Sequence, residues 1–383
     1  MKYLSTDFYE NFKCIGGACP FTCCAGNWTI SIDKETKKEY DSVDGEFGQI
    51  LRENICSDND SSFRFRLTED GRCSFLSSEN LCRIYQELGP EKLCCTCQIY
   101  PRIVFQCGDI LFRTLTLSCP EVSRILLNKT EPISFGFAEV PSDEDGKLSI
   151  DWDLFNTLVS CFVFSVKLIQ NRNYTLSARL RALLMFTFTM QTLLEDNKDI
   201  APLLETFSNQ DSLEEQMAAL EHLSSNVPAM FSAFLYFYQI TGASVHHFIL
   251  HSSANLMEEF IHSNDKEKPL TSIIESFHLL LSTTYDIQYE HFCVSFLLRN
   301  YFEAYTNKKP FEEVAKLVYA LLMARGYALS FCSKGEGIST ENQISLFSLI
   351  SRLLEHDDKN LKIIKSYFEK NGQTDIGFLL ALV

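Results

Sequence analysis

Residues 14–28 read CIGGACPFTCCAGNW. Four thiols fall between Cys14 and Cys24, two of them adjacent, with Gly16 and Gly17 between the first pair. Neighbouring side chains point in different directions in a strand or a helix. Cys23 and Cys24 therefore either divide into a ligand and a packing residue or face two different metals. The glycines allow backbone amides to approach a sulfur closely, and amide hydrogen bonds tune a metal-bound thiolate.

The same residue type recurs outward from this stretch. Of fifteen cysteines in 383 residues, twelve lie in the first 119. Disulfide frameworks belong to small secreted domains. Here the N-terminus, MKYLSTDFYENFKC, has no apolar leader pattern, and a large apolar remainder lies beyond the cysteines. Metal in a reducing cytoplasm is the favoured reading, and the expected location is cytoplasmic. All eight histidines stand at His222 or later, so an N-terminal site must be built from thiolates, with carboxylates or small molecules at most. Thiolate sites mean zinc or iron–sulfur. Only Cys94 and Cys97 form a CxxC pair; irregular spacing elsewhere favours an iron–sulfur cluster, with zinc as the alternative. Cys119 beside Ser118 and Cys82 behind Asn80 are expected in helix first turns, where amides and the helix dipole lower a thiol's pKa. Cys56 and Cys107 read as packing residues. Cys94 and Cys95 read as packing around Cys97, and Cys161, Cys293 and Cys332 as ordinary core cysteines.

Up to about residue 130 the elements are short. NWTISID alternates like a strand, and RIVFQCGDILFRTLTLSC reads as a hairpin turning at Gly108-Asp109. LCRIYQELG predicts a two-turn helix stopped by Gly89, PEKLCCTC a helix restarted by Pro90, and SCPEVSRILL a helix with a Ser118–Glu121 capping box. Residues 131–150, rich in Pro, Gly, Ser and acids, read as a linker. Beyond it, apolar residues recur at three- and four-residue spacing in seven stretches, from WDLFNTLVSCFVFSVKLIQ to ISLFSLISRLLEHDDKNLKIIKSYFEK. The expected fold is a cysteine-rich α+β metal-binding domain over 1–130, then a mainly α-helical domain over 151–383, predominantly α overall.

The net charge of −16 divides into −3 over residues 1–130 and −13 beyond. No basic stripe appears, which argues against a nucleic-acid partner. The longest apolar run, LRALLMFTFTMQTLL, is too short for a membrane span and carries Arg181 and Gln191. The acidic C-terminal part suits a lysine-bearing partner, or serves solubility alone. Oligomeric state is not written in the sequence.

FKCIGGACPFTCCAGNW, GRCSFLSSENLCRIYQELG, TCQIYPRIV and LTLSCPEVSRILL resemble, in this order and spacing, the flagellin lysine-N-methylase family. The middle blocks also resemble cysteine-rich zinc- or iron-chelating proteins. The resemblance covers about the first third of the chain. In the helical remainder, NYFEAYTNKKPF resembles a short family stretch, with Arg299 where the family carries an acid. The family's cysteines fall on Cys14, Cys19, Cys23, Cys24, Cys73, Cys82, Cys97 and Cys119; Cys94 and Cys95 are outside its motif. The resemblance implies a [4Fe–4S] cluster and methyl transfer from S-adenosylmethionine to flagellin lysines. Neither a Rossmann glycine turn nor a CxxxCxxC radical signature is present, and KGEGIST reads as a loop before a Thr340–Gln343 capping box. One route to binding the cofactor is chelation at an iron left open by three-cysteine ligation, with Arg102 pairing the carboxylate. Trp28, Tyr85 and Tyr100 are candidates to line an amine pocket. A non-enzymatic iron- or zinc-binding module whose helical domain docks a protein partner is the alternative.

Overall fold

The computed structural model describes the chain except for residue 1, residue 27, 60–61, 108–109, 140–150, 242–266, 283–284, 333–337, 356–359, 361, 363–365 and 367–374. The strands are β1 (Lys2–Thr6), β2 (Ser31–Ile32), β3 (Ile55–Asn59), β4 (Ser62–Phe65), β5 (Arg102–Cys107), β6 (Ile110–Leu115) and β7 (Phe135–Glu139). Among them run α1 (Lys34–Asp41), α2 (Gly45–Glu53), α3 (Arg83–Leu88), α4 (Cys95–Ile99) and α5 (Pro120–Leu127). The helical part comprises α6 (Trp152–Ile169), α7 (Leu176–Glu195), α8 (Ala201–Ser208), α9 (Gln210–Glu221), α10 (Val227–Thr241), α11 (Glu267–Leu280), α12 (Asp286–Asn300), the short α13 (Ala304–Asn307), α14 (Pro310–Ala328), α15 (Thr340–Glu355) and α16 (Ile376–Ala381).

Two sheets form. The larger has the order β5-β6-β1-β7: β5 and β6 are the expected hairpin, β1 runs parallel to β6, and β7 closes the edge antiparallel to β1. The hairpin's Gly108-Asp109 turn lies outside the described residues. Strand β7 arises from the segment read as a linker; FGFAE gains its backbone partners from β1 at the start of the chain, a pairing no local pattern shows. The sheet's inner face carries Phe105 and Phe112, stacked 4.9 Å apart in directly paired positions. Phe302 lies 4.4 Å from Phe112 and 5.1 Å from Phe162 of α6. The large sheet therefore shares one continuous core with the helices.

The smaller sheet, β2-β4-β3, has its own core of Ile30, Ile32, Tyr40, Leu51, Phe65, Phe75 and Ile84, together with Cys73 and Cys94. Only Ser31 and Ile32 of NWTISID are strand; the next residues become α1. Asp33 caps this helix by accepting from Thr36 N at 2.9 Å, and its other oxygen accepts from Cys95 N at 2.9 Å, in the first turn of α4.

Three details differ from expectation. PEKLCCTC is a 3₁₀ turn, Pro90–Lys92, with the separate helix α4 after it. The N-cap of α5 is Cys119, with Pro120 at the first helical position and no capping box; Ser118 Oγ is engaged by Thr116 instead. Before α15 the cap is Ser339, accepting from Asn342 N at 3.2 Å. Of the last expected helix, ISLFSLISRLLE forms the body of α15, and most of HDDKNLKIIKSYFEK lies outside the described residues.

Helix α14 is buried nearly all round, which is why its apolar residues show no single stripe. Gly326 lets α10 come close: a Cβ there would meet the Phe234 ring at 2.1 Å. Helix α6 is long and apolar enough by composition to cross a bilayer, but Phe155, Leu158, Cys161 and Phe162 are buried in the large core. Arginines inside the bundle serve carbonyls and carboxylates. Arg181 donates to Leu220 O, Leu380 O and Ser225 Oγ. Arg179, 1% exposed, donates to fully buried Glu290 at 2.6 Å and faces Asp286 at 3.4 Å, while Arg172 pairs Glu290 from the other side.

A buried ion network is costly to break from one side, because the remaining charge stays desolvated. Arg179→Met should lower unfolding stability by about 3 kcal/mol or more, measured by chemical denaturation. Adding Glu290→Gln to that chain should recover part of the loss; a further loss instead would show that the guanidinium acts through packing alone.

Candidate functional site

The crowded stretch is a chain of tight turns. Gly16 adopts a positive φ of 54°, and its amide lies 3.4 Å from Cys14 Sγ, the approach to sulfur that the glycines suggested. At Gly17 a Cβ would sit 3.0 Å from Glu79 O. Thr22 Oγ1 accepts from Cys24 N, opening a 3₁₀ turn that carries Cys23 and Cys24. Cys24 O then accepts from Cys73 N at 2.7 Å, tying the turn to the loop before α3. Cys82, Cys94 and Cys119 occupy the N-caps of α3, α4 and α5. Backbone amides lean toward these sulfurs, among them those of Tyr85 and Ile84 toward Cys82 and those of Val122 and Glu121 toward Cys119.

Those amides do not win. Burial raises the Cys82 thiol, and it pushes Cys119 up to about 12 and Cys73 to about 11. The expectation of lowered values at Cys82 and Cys119 fails because desolvation outweighs the helix-end amides. Two other thiols move down. Cys23 is lowered to about 7 by a hydrogen bond from Cys24 and by the charge of Arg352, against burial. Cys94 is lowered by a hydrogen bond from Cys97. Their donors, Cys24 and Cys97, are raised by the same contacts.

All eight cysteines read from the sequence as candidate ligands sit along this region, and Cys94 joins them. Cys24, Cys73, Cys82, Cys94 and Cys97 line the small core. Cys19 and Cys23 lie under the charge of Arg352, with Cys14 and Cys119 near Cys19. Among the described residues, no three Cys, His, Asp or Glu side chains close tightly enough around one point to hold a single metal ion. Cys95 is exposed and Cys56 half-buried. Cys161, Cys293 and Cys332 are buried in the helical core, where desolvation pushes them to about 12, 12 and 11.

Arg102 lies over the rings of Tyr9 and Phe12, at 5.8 and 5.4 Å. The cation acting on the thiols is Arg352 of α15, hidden in the sequence because ISLFSLISRLLE reads as a plain periodic core helix. Its Nε donates to Ser118 O at 2.8 Å, its Nη2 to Phe21 O at 2.6 Å, and the guanidinium sits 5.2 Å over Trp28. Trp28 meets Tyr100 edge to face at 5.4 Å, whereas Tyr85 is exposed.

From Tyr100 a file of hydroxyls runs inward. Tyr100 Oη lies 3.1 Å from Ser118 Oγ, which lies 2.8 Å from Thr116 Oγ1, and Thr116 Oγ1 is 2.6 Å from Glu355 Oε2. The other carboxylate oxygen of Glu355 accepts from Ser351. Burial raises the Glu355 carboxyl, with its hydroxyl donors and the charge of Arg299 opposing. A cavity of about 10 Å³, room for one water, lies beside it between Leu117, Phe292, Phe296 and Leu354.

The FliB lysine N-methylase C-terminal domain profile matches residues 163–382. The family match thus falls over the helical part, which the resemblance in the cysteine motifs hardly reached. The chain is 34% identical over 134 residues to the flagellar biosynthetic protein FliU of Salmonella muenchen, covering 34% of this chain and 79% of that protein. It is 31% identical over 198 residues to lysine-N-methylases of Salmonella choleraesuis and Salmonella typhimurium, covering 48% of this chain and 46% of each of them. The chain thus spans about half the length of those two relatives. No solved structure matches it.

The thiol shifts can be read by alkylation of metal-free protein, since only the thiolate reacts. Cys23 labelling should rise about tenfold per pH unit up to about pH 7 and then flatten. Cys73 labelling should keep rising to about pH 11. Equal rates for Cys23 and Cys73 at pH 7, read by peptide mass spectrometry, would contradict the arrangement.

Proposed function

We propose that this chain, which belongs to the FliB lysine N-methylase family, is a cytoplasmic protein-lysine N-methyltransferase. It acts on flagellin with S-adenosylmethionine and depends on an iron–sulfur cluster. Family membership supports the reaction, and the flagellar name of one relative supports the substrate. The observation that carries the reading is the meeting of clustered thiols, Arg352, Trp28 and Tyr100 at the join between the cysteine segments and α15.

The donor set is all sulfur and irregularly spaced, which suits an iron–sulfur cluster better than a single zinc. The cysteines that would hold it are those of the two groups above. A bound cluster would supply an open iron able to chelate the amino and carboxylate groups of the cofactor. Arg352, held by Phe21 O and Ser118 O, offers its positive charge to that carboxylate, with Arg102 as the second candidate.

The substrate needs two further things from the protein. Its ε-ammonium must be held, and the face of Tyr100 attracts a cation, while Trp28 already carries Arg352. It must also lose a proton before its lone pair attacks the methyl carbon and the methyl–sulfur bond breaks, leaving a neutral thioether. Tyr100 can take that proton while passing its own through Ser118 and Thr116 to Glu355 Oε2. Burial biases Glu355 toward accepting it.

Anaerobically prepared protein with S-adenosylmethionine should add methyl groups to flagellin lysines, read by mass spectrometry, and a Cys19→Ser chain should not. Equal methylation by both would make the cluster dispensable. No methylation by either, with an unchanged optical spectrum on adding the cofactor, would favour the metal-binding docking module. Glu355→Gln should lower kcat by about 10²–10⁴ with KM little changed and remove the rise of kcat with pH on the acidic side. An intact pH profile in that variant would exclude Glu355 as the proton acceptor.

A further inference from the structure

Three arginines are almost wholly enclosed among the described residues: Arg179, Arg181 and Arg325. Arg179 and Arg181 donate to carboxylates and carbonyls. Arg325 of α14, 1% exposed, is the exception. Its Nε has no hydrogen-bond partner, and among the described residues no ion pair reaches its guanidinium. The ring of Tyr289 lies against it, with the ring centre 5.1 Å from Cζ. The carboxylates nearby are engaged elsewhere. Glu290 faces Arg172 and Arg179, and Asp286 accepts from Leu176 N at 3.0 Å and faces Arg179. A guanidinium keeps its charge on burial, and a ring face compensates that charge only in part. Two more donors are left over on the helices that meet here. Tyr289 of α12 is fully buried with no partner for its Oη, and Gln343 of α15, 2% exposed, has none for its Nε2. Helices α12 and α15 both pack on α14. The Tyr289 ring also lies 5.5 Å from the ring of Phe347, which follows Gln343 by one turn of α15.

We propose that Arg325, Tyr289 and Gln343 form a binding site for a small carboxylate, enclosed where α12, α14 and α15 meet. The chemistry of the three groups selects the ligand. A guanidinium and an amide nitrogen only donate, and a phenol hydroxyl can donate, so what they lack in common is an acceptor. Donors gathered around a fixed positive charge suit an anion rather than a neutral or cationic molecule. The planar fork of a guanidinium matches the two oxygens of a carboxylate. One guanidinium balances one negative charge, which is what a carboxylate brings; a phosphate brings more than one near neutral pH, and a chloride has no oxygens for the fork. Tyr289 Oη and Gln343 Nε2 would donate to the remaining lone pairs. The site shares no residue with the thiol region, so it stands whether or not the thiols hold a cluster.

The test is the melting midpoint of the full chain, read by calorimetry in acetate, in phosphate and in chloride at equal ionic strength. Acetate should raise the midpoint by a few degrees over chloride, because a ligand taken up only by the folded chain stabilises it. Tyr289→Phe keeps the ring and removes only the hydroxyl. It should melt as the wild type does in chloride and need about tenfold more acetate for the same rise. Arg325→Met should show no acetate rise, and in chloride it should melt no lower than the wild type, because a poorly compensated buried cation is replaced by an apolar chain of like length. An equal rise in chloride, or an acetate rise of full size in Arg325→Met, would be a general salt effect and would overturn the site. A rise in phosphate without one in acetate would overturn the carboxylate as its ligand, and no rise in either would overturn the site altogether. Should Arg325→Met fail to fold, Tyr289→Phe decides: an unchanged acetate response there overturns the proposal.

Discussion

Anionic sulfurs cannot be crowded in a poorly hydrated place unless something positive sits among them. At about 4 Å and an effective dielectric near 20, two like charges repel by about 4 kcal/mol. Nine cysteines gather here in two neighbouring groups, and desolvation holds Cys19, Cys73, Cys82 and Cys119 protonated. In the pairs Cys23 with Cys24 and Cys94 with Cys97, one thiol donates a hydrogen bond that lowers the other. Ionising the rest requires added cations. Metal uptake and the final packing of these segments would therefore be one process.

The same constraint explains why the helical part reaches into the cysteine region. Helix α15 presents Ser351, Arg352 and Glu355 from one face, four residues apart at most, as neighbouring turns allow. Arg352 fastens the loops carrying Cys23 and Cys119, and Glu355 receives the hydroxyl file from Thr116. One helix thus provides the positive charge beside the thiols and the buried acid behind them. The family match over residues 163–382 and the cysteine motifs before residue 120 thus fall on segments that Arg352 and Glu355 bring into contact.

Much of this is legible in the sequence. The helices beyond residue 150 announce themselves by period, the β5–β6 hairpin by its alternation, and the α3 stop by Gly89 at φ 93°. The rest depends on distant partners. β7 exists because it pairs with β1, about 130 residues earlier in sequence, and β1 lies between it and β6. Pro120 displaces the Ser118 cap and puts Cys119 at the boundary. The thiol shifts at Cys82 and Cys119 run opposite to the sequence expectation because helix-end amides are visible in a sequence and burial is not. Arg352 and Glu355 are hidden by their helix, whose polar residues fall where a surface face would put them. Cys94 reads as packing, and it is fully buried, but beside Cys97 and within the same core as three other thiols.

The two cores also differ in what they need. The large core joins the four-stranded sheet to the described helices from α5 on and has apolar area to spare. The small one rests on a three-stranded sheet, two of whose strands are four residues or fewer, and on seven buried side chains other than cysteine. Domains that small rarely bury enough to fold without a staple, and metal is one of the staples available. Asp33 helps by capping α1 and holding the first turn of α4 at once, but a cap contributes only about 1 kcal/mol. A centre on Cys73, Cys82, Cys94 and Cys97 would tie the strand-bearing loops to α3 and α4, which is where the small core is thinnest. Cys119, by contrast, is buried in the large core at the N-cap of α5, a place the helices already hold.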